Sequence, residues 1–445
     1  MSEFDPFAGI VATRDAITAG HTTPQAVIEA ALQRAHASQT KLKAFCYLPS
    51  TPANIGIDAA APLAGIAVAV KDLIDTVDMP TTYGSPIYRD HMPRADAWLV
   101  TRLRVLGAHV LGKSVTTEFA WRYPGATVNP WNPAHTPGGS SSGSAAAVAA
   151  GIVPLAIGTQ TLGSVIRPAA FCGVVGFKPS YGAIARTGIC ALSSSLDHVG
   201  VFTRSVDDAA YAISVFAGTS ASDTHGKPFK SFTMRSYLKP ITTAPTFGFL
   251  SSLQLGAIDP AQAEIMQQIA GKLRDSGAVV HELELPKEFI DAAELTALLA
   301  AADAAHHHAH HVAVKDQLSA PMAALIEQGS AMSAADVALL KVRQQKLSKL
   351  YAQWLKKNRL DAVLLPPASG EAPAGLHATG DARFCSPFTL IGVPAITLPA
   401  GFGPNRLPLG VQLVGALGAD LTLLKIARGC EQLIALPKSI ATAWQ

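Results

Sequence analysis

Two hydrophobic patterns alternate along this chain. Short continuous apolar runs, at 45–47, 66–70, 109–112, 153–157, 246–250, 279–285, 361–365, 395–398 and 409–414, read as strands buried on both faces. Between them lie stretches with apolar residues every three or four positions. In the first segment, which reads as two helices, Thr23 stands where an N-cap is expected and Pro24 at the first helical position, with Val27, Ile28, Ala31, Leu32 and Ala35 on one stripe. Further helices are predicted over 96–106 (Trp98, Leu99, Arg102 and Leu103 on one face, Gly107 as the stop), 206–217, 260–276, 291–315, 333–357 and 421–433. Ser205 caps the second of these, with Asp208 as half of a capping box. Strands alternating with helices predict an α/β fold, and the chain reads as one domain over 1–445: a helical N-terminal segment (1–62), a central part (63–200), and a polar surface excursion (220–245) in the half that follows. No internal repeat is visible.

Composition narrows the class. Hydrophobic residues make up 49% and charged residues 15%, which excludes large-scale disorder and requires elements covered on both sides. The formal charge of +3 is scattered, and the one tight basic cluster, Lys356-Lys357-Asn358-Arg359, closes a predicted helix where cations suit the dipole, so no nucleic-acid partner is expected. Five cysteines without a Cys-x-x-Cys pair speak for reduced thiols and a cytoplasmic setting. The acidic start lacks the apolar stretch of a signal peptide, and the longest apolar run, 145–157, is broken by Gly151 and Pro154, so no membrane association is expected.

The chemistry concentrates between Thr136 and Pro179. Gly138-Gly139-Ser140-Ser141-Ser142-Gly143-Ser144 passes straight into an alanine-rich helix former, which a flexible linker would not do. Gly158-Thr159-Gln160-Thr161-Leu162-Gly163-Ser164 follows. Glycines let such loops converge their backbone N–H groups on one point, and a serine placed there stands beside its own oxyanion donors, as acyl transfer requires. Phosphate binding is the other use of such loops, but no lysine lies between Lys113 and Lys178 to complete a Walker motif.

These residues resemble the amidase signature family, whose hallmarks are Gly-Gly-Ser-Ser-Gly-Gly-Ser and Gly-Thr-Asp-x-Gly-Gly-Ser, with the two key serines separated by 24 residues, as Ser140 and Ser164 are. Upstream, Gly65-Ile66-Ala67-Val68-Ala69-Val70-Lys71-Asp72 is similar to the family's strand ending in its lysine. Gly176-Phe177-Lys178-Pro179 and Ser194-Ser195-Leu196-Asp197 extend the likeness over roughly 63–200, with weaker echoes at Gly380-Asp381 and 390–399. The resemblance implies an α/β/α sandwich around a large mixed β-sheet and a Ser-Ser-Lys relay without metal or organic cofactor. Lys71 would deprotonate Ser140, which follows a cis peptide bond at Gly139, and Ser140 would deprotonate the nucleophile Ser164. The amides of Thr161, Leu162, Gly163 and Ser164 would form the oxyanion hole. The relay requires a neutral Lys71, so burial must lower its pKa from about 10.4 by several units. The implied activity is hydrolysis of a small-molecule amide; the resemblance alone leaves a homodimer open.

Three positions depart from the family pattern. Gln160 replaces its aspartate, Leu162 one of its glycines, and the arginine usually two positions after the nucleophile stands at three, as Arg167; if the usual aspartate and arginine pair, these are coupled changes. Ser142 replacing a glycine is milder. Each site residue also has a plainer reading: Ser164 as a helix N-cap, Lys71 as a solvated strand end, Cys172 as a small packing group. His198 is an alternative general base, but it reads as lying in a loop without an orienting partner. The aromatic loop 118–137 supplies substrate-binding candidates in Trp121, Arg122 and Tyr123, beside Trp131 and His135, with Arg122 equally suited to a substrate carboxylate or a surface acid. His306-His307-His308 and His310-His311 put pairs at i, i+4 but offer no third ligand, so an exposed histidine-rich face is expected rather than a metal site. The alternatives to a hydrolase are the glutaminase component of a tRNA-dependent amidotransferase (its A subunit), which would need partner subunits, and a catalytically silent binding protein.

Overall fold

The computed structural model describes residues 5, 7–51, 58–251 and 253–436. The acidic start at 1–4 and part of the Pro-rich connection before Pro62, at 52–57, lie outside them. The described strands form one eleven-stranded mixed sheet. In chain order they are β1 (Phe45–Tyr47), β2 (Ala67–Lys71), β3 (His109–Ser114), β4 (Leu155–Gln160), β5 (Val175–Lys178), β6 (His198–Thr203), β7 (Thr246–Phe249), β8 (Val279–Glu282), β9 (Ala362–Leu365), β10 (Ala395–Phe402) and β11 (Pro408–Val414). Their spatial order is β1-β3-β2-β4-β6-β5-β10-β11-β9-β7-β8. β2 runs parallel to both β3 and β4, and β7 parallel to β8 and β9, while β4–β6, β6–β5, β5–β10 and β10–β11 are antiparallel. The last half of the chain therefore continues the sheet of the first through the β5–β10 pairing, as the alternation of strands and helices predicts.

Helices cover both faces. Val68, Val70, Leu155 and Ile157 join one core with the helices Trp98–Val105, Val206–Phe216, Pro260–Asp275 and Asp420–Ile434. Ala67, Ala69 and Ala156 join another with Pro24–Leu42, Ser142–Ala149 and Ile166–Cys172. The period of two along β2 thus puts valines on one side and small residues on the other, and the small side admits an alanine-rich helix close to the sheet. Thr23 caps Pro24–Leu42 by accepting from the Ala26 N–H, and Ser205 caps Val206–Phe216 through the Asp208 N–H.

The structure changes several expectations. β5 and β6 were hidden in a glycine- and serine-rich stretch, so His198 opens a buried strand and is not a loop residue. The helix at 98–105 buries Leu99, Val100 and Leu103, whereas Arg102 is exposed. An unpredicted helix, Ala320–Ser330, packs on Ala292–His308. Between 220 and 245 the chain is largely exposed, with Phe232 and Tyr237 turned inward.

Leu364 on β9 is fully buried in the core that also holds Val68 and Val70. Leu364→Ala is expected to destabilise the protein by about 2–5 kcal/mol, read as a lower urea midpoint; an unchanged midpoint would contradict a core shared by both halves of the sheet.

Candidate active site

The site begins at the C-terminal end of β2, where Lys71 is fully buried. Its Nζ lies 2.7 Å from Ser140 Oγ, 2.8 Å from Thr159 Oγ1 and 3.0 Å from Ser141 Oγ. No carboxylate pairs with it among the described residues. Adjacent Asp72 is engaged by the Thr82 N–H at 3.1 Å and by Lys113 at 3.6 Å. Asp197 is occupied by the Thr161 hydroxyl (2.6 Å) and by the Leu192 and Ser193 N–H groups (both 2.9 Å). Burial consequently holds the Lys71 amine well below the ordinary lysine pKa, opposed only in part by the field of Asp197. A solvated strand-end lysine is not what the structure contains.

Ser140 and Ser141 precede the helix Ser142–Ala149 on the small-residue side of the sheet, and the Gly139–Ser140 peptide bond is cis. Gly158 on β4 makes room for this arrangement: a Cβ there would stand 2.7 Å from Ser141 Oγ. Ser141 Oγ in turn donates to the Thr159 carbonyl at 3.2 Å.

The second loop leaves β4 at Gln160 and enters the helix Ile166–Cys172. Ser164 lies just before that helix, but its side chain makes no capping bond. The work is done by Gln160, whose Oε1 accepts from Val165 N–H (2.8 Å) and Ile166 N–H (3.0 Å). Gln160 and Arg167 do not pair with each other. Arg167, buried, donates to the Gly139 carbonyl at 2.6 Å and so ties the second serine loop to the first.

Ser140, Thr161, Leu162 and Ser164 open into a cavity of about 890 Å³. Trp121, Arg122 and Tyr123 form one wall; Ala293, Glu294 and Ala297 form another, and the loop 376–383 a third. Phe119, Ala120 and Arg122 have φ of 45°, 64° and 41°, a left-handed backbone that costs energy in non-glycine residues and gathers at functional sites. The guanidinium of Arg122 sits 4.9 Å from the Trp121 ring centroid, stacked on it rather than paired with a surface acid. Trp131 and His135 serve the loop itself: Trp131 Nε1 donates to the Cys172 carbonyl (2.8 Å), and His135 Nδ1 lies 2.7 Å from the Ala372 carbonyl.

Other candidates fall outside the cavity. His198 Nδ1 is bound to the Leu196 carbonyl at 2.6 Å in a fully interior position, and burial lowers its pKa far below the usual value. Cys172 is buried, its thiol directed at the Pro137 carbonyl. All five cysteines are free. The histidine run is the expected exposed face only in part: His306 and His310 face outward, whereas His308 and His311 are buried. The helix tightens at Ala309, so His308 and His311 meet with their Nδ1 atoms 3.2 Å apart, both buried and stacked near Phe119. Among the described residues no group of three or more His, Cys, Asp or Glu side chains is placed to hold a metal, and no helix is long and apolar enough to cross a membrane. The sequence reading missed Thr159, Ser141, Thr389 and the wall from Ala293 to Ala297; only Gly380-Asp381 had signalled the 376–383 loop.

With the sheet and the paired serine loops in place, comparison with known proteins assigns the class. A family model described as Amidase matches residues 26–424, and the chain belongs to that family. Among similar proteins, the A subunit of glutamyl-tRNA(Gln) amidotransferase from Synechococcus sp. (strain CC9605) is 32% identical over 95% of this chain and 96% of its own length. Its namesake from Rhodopirellula baltica (strain SH1) is 34% identical over 92% and 93%. Of solved structures, a native peptide amidase from Stenotrophomonas maltophilia superposes with a TM-score of 0.81 at 28% identity, covering 97% of this chain and 98% of that one. 6-Aminohexanoate cyclic dimer hydrolase, at 23% identity, shares the fold with a TM-score of 0.88 over 99% and 100%.

Burial without a counter-charge predicts a neutral Lys71 amine at pH values where ordinary lysines are protonated. In a ¹³Cε-lysine NMR titration, with the signal assigned by its loss in Lys71→Met, the midpoint is expected well below about 10.4; a midpoint at or above that value would contradict the described burial.

Proposed function

We propose that the protein is an amidohydrolase that cleaves the C–N bond of a small carboxylic amide through Lys71, Ser140 and Ser164, acting in the cytoplasm. The observation that carries this reading is the uncompensated Lys71 amine 2.7 Å from Ser140. A neutral amine has two N–H donors and one lone pair. Ser141 spends its own hydrogen on the Thr159 carbonyl and can only accept from Lys71. Of the two hydroxyls that remain, Ser140 and Thr159, only Ser140 opens into the cavity with Ser164, so Ser140 is the one assigned to donate to the lone pair.

The reaction follows from that polarity. As Lys71 takes the Ser140 proton, Ser140 Oγ takes the proton of Ser164, and Ser164 Oγ adds to the amide carbonyl. The resulting oxyanion is met by backbone N–H groups of the loop 161–164, where one such donor is worth on the order of 3 kcal/mol. Ser140 hands the proton it took from Ser164 to the departing nitrogen and is reprotonated by Lys71, the C–N bond breaks, and an acyl group remains on Ser164. Water, deprotonated along the same relay, releases the carboxylic acid. Trp121, Arg122 and Tyr123 select the acyl or amine portion; Leu162 narrows the space beside the oxyanion site.

A second reading has support of its own: the A subunits of glutamyl-tRNA(Gln) amidotransferase resemble this chain over nearly its whole length. In that role the same site would hydrolyse glutamine and pass ammonia to partner subunits. Glutamine hydrolysis that appears only on adding such partners, with no turnover of simple aliphatic, aryl or peptide amides, would favour it.

A fluorophosphonate probe with peptide mass mapping is expected to label Ser164, and Ser164→Ala to abolish both labelling and turnover of whichever amide in a panel is accepted. Absence of label at Ser164 defeats the hydrolase and leaves a silent binding protein. Lys71→Ala is expected to lower kcat by about 10³-fold or more with the fold retained by circular dichroism; full activity would contradict the relay.

A further inference from the structure

Thr389 belongs to the short helix Ser386–Leu390 and is fully buried; it lines no part of the cavity. Its hydroxyl donates to the Leu162 carbonyl at 2.7 Å, with the Cys385 carbonyl of its own helix a longer second acceptor at 3.2 Å, and receives the Gln160 side-chain N–H at 2.9 Å. A chain of donors with one direction results: Gln160 amide to Thr389 hydroxyl to Leu162 carbonyl. In a trans peptide the C=O of one residue and the N–H of the next point in opposite directions, and among the described residues only the Gly139–Ser140 bond is cis, so Leu162–Gly163 is trans. Whatever fixes the Leu162 carbonyl therefore fixes the Gly163 N–H. A similar constraint acts one residue on, where the Gly163 carbonyl accepts the Arg167 N–H at 2.9 Å and so orients the Ser164 N–H. The next two amides, of Val165 and Ile166, are consumed by Gln160 Oε1. Gly163 itself has no slack, since a Cβ would stand 3.0 Å from Ala382 Cβ and 3.1 Å from Cys385 Cβ.

We propose that Thr389, held by Gln160, is a positioning residue that aims the Gly163 N–H at the oxyanion forming on a substrate bonded to Ser164. This rests on the hydrolase reading and adds to it a residue that touches neither substrate nor nucleophile. It also gives the residue at 160 a reason to be an amide. A carboxylate there would accept the Thr389 hydrogen and draw it from Leu162, whereas the glutamine N–H donates to Thr389 and leaves that hydrogen for the carbonyl.

The test uses a fluorescent fluorophosphonate, which needs no knowledge of the natural amide. Ser164 Oγ bonds to phosphorus, the P–F bond breaks, fluoride leaves, and the Ser164 proton enters the relay, while charge grows on the phosphoryl oxygen. Thr389→Val is expected to slow the second-order labelling of Ser164 by about 10- to 100-fold, part of the about 10²–10³-fold that losing an oxyanion donor costs. Thr389→Ser should keep the unmodified rate, and the pH profile of Thr389→Val should match that of the unmodified protein. The thermal midpoint of Thr389→Val is expected to fall, because the buried Gln160 N–H and Leu162 carbonyl lose their partner, so the rate is read at a temperature where circular dichroism shows the variant folded. Should Thr389→Val fail to fold, Thr389→Ala carries the same expectation. Labelling at the unmodified rate in the variant, or an equal loss in Thr389→Ser, overturns this inference alone. Failure of the unmodified protein to label at Ser164 overturns the hydrolase reading and this inference with it.

Discussion

The constraint on which this structure depends is the burial of one lysine amine without an acid to neutralise it. A charged ammonium withdrawn from water costs several kcal/mol even after relaxation, and the Lys71 partners within hydrogen-bond distance among the described residues are three neutral hydroxyls. Neutrality is the cheaper state, and a neutral amine is a base. The sheet supplies the burial: β2 lies between β3 and β4, and its small residues let the helix Ser142–Ala149 press its leading serines against the strand end. Two further lysines, Lys113 and Lys178, are buried in the same sheet, but each is spoken for. Lys113 is bonded to the Ile74 carbonyl and Thr81 and paired with Asp72, and Lys178 donates to the Val393 carbonyl. Of the three, Lys71 alone is surrounded by hydroxyls.

Around that base the two serine loops are held by neutral and charged ties of different kinds. Arg167 bonds the Gly139 carbonyl, Asp197 holds Thr161 together with the Leu192 and Ser193 amides, and Gln160 gathers the amides that follow Ser164. The departures from the family pattern at 160 and 167 thus fall on residues that brace the loops, away from the relay itself.

Much of this was legible in the sequence because the relevant signals are local. A continuous apolar run ending in Lys71, two glycine-serine loops at a fixed separation, and Thr23-Pro24 before an amphipathic stretch each carry their own physics. What was not legible depends on tertiary partners. β5 and β6 contain Gly176 and Gly200 and sit where serines and glycines dominate, so their strand character appears only when neighbouring strands pair with them. Thr389 is 227 positions from Leu162, and nothing in its immediate sequence hints at the bond. The histidine run departs from an exposed face at His308 and His311, because the helix tightens at Ala309, changes which rings meet and packs these two against Phe119.

The cavity walls and its serine-lined floor come from different parts of the chain, so under the proposed reading the walls can change without moving Lys71, Ser140 or Ser164. The claim beneath all of this is that an uncharged Lys71 drives acylation of Ser164, and the pH dependence of the acylation rate tests it most directly. Protonation silences the base, so the rate should rise with pH through the depressed Lys71 pKa and be level well before about 10.4, the ordinary lysine value. A rate still climbing at that pH would mean that Lys71 titrates like a solvated lysine, and the account would be wrong.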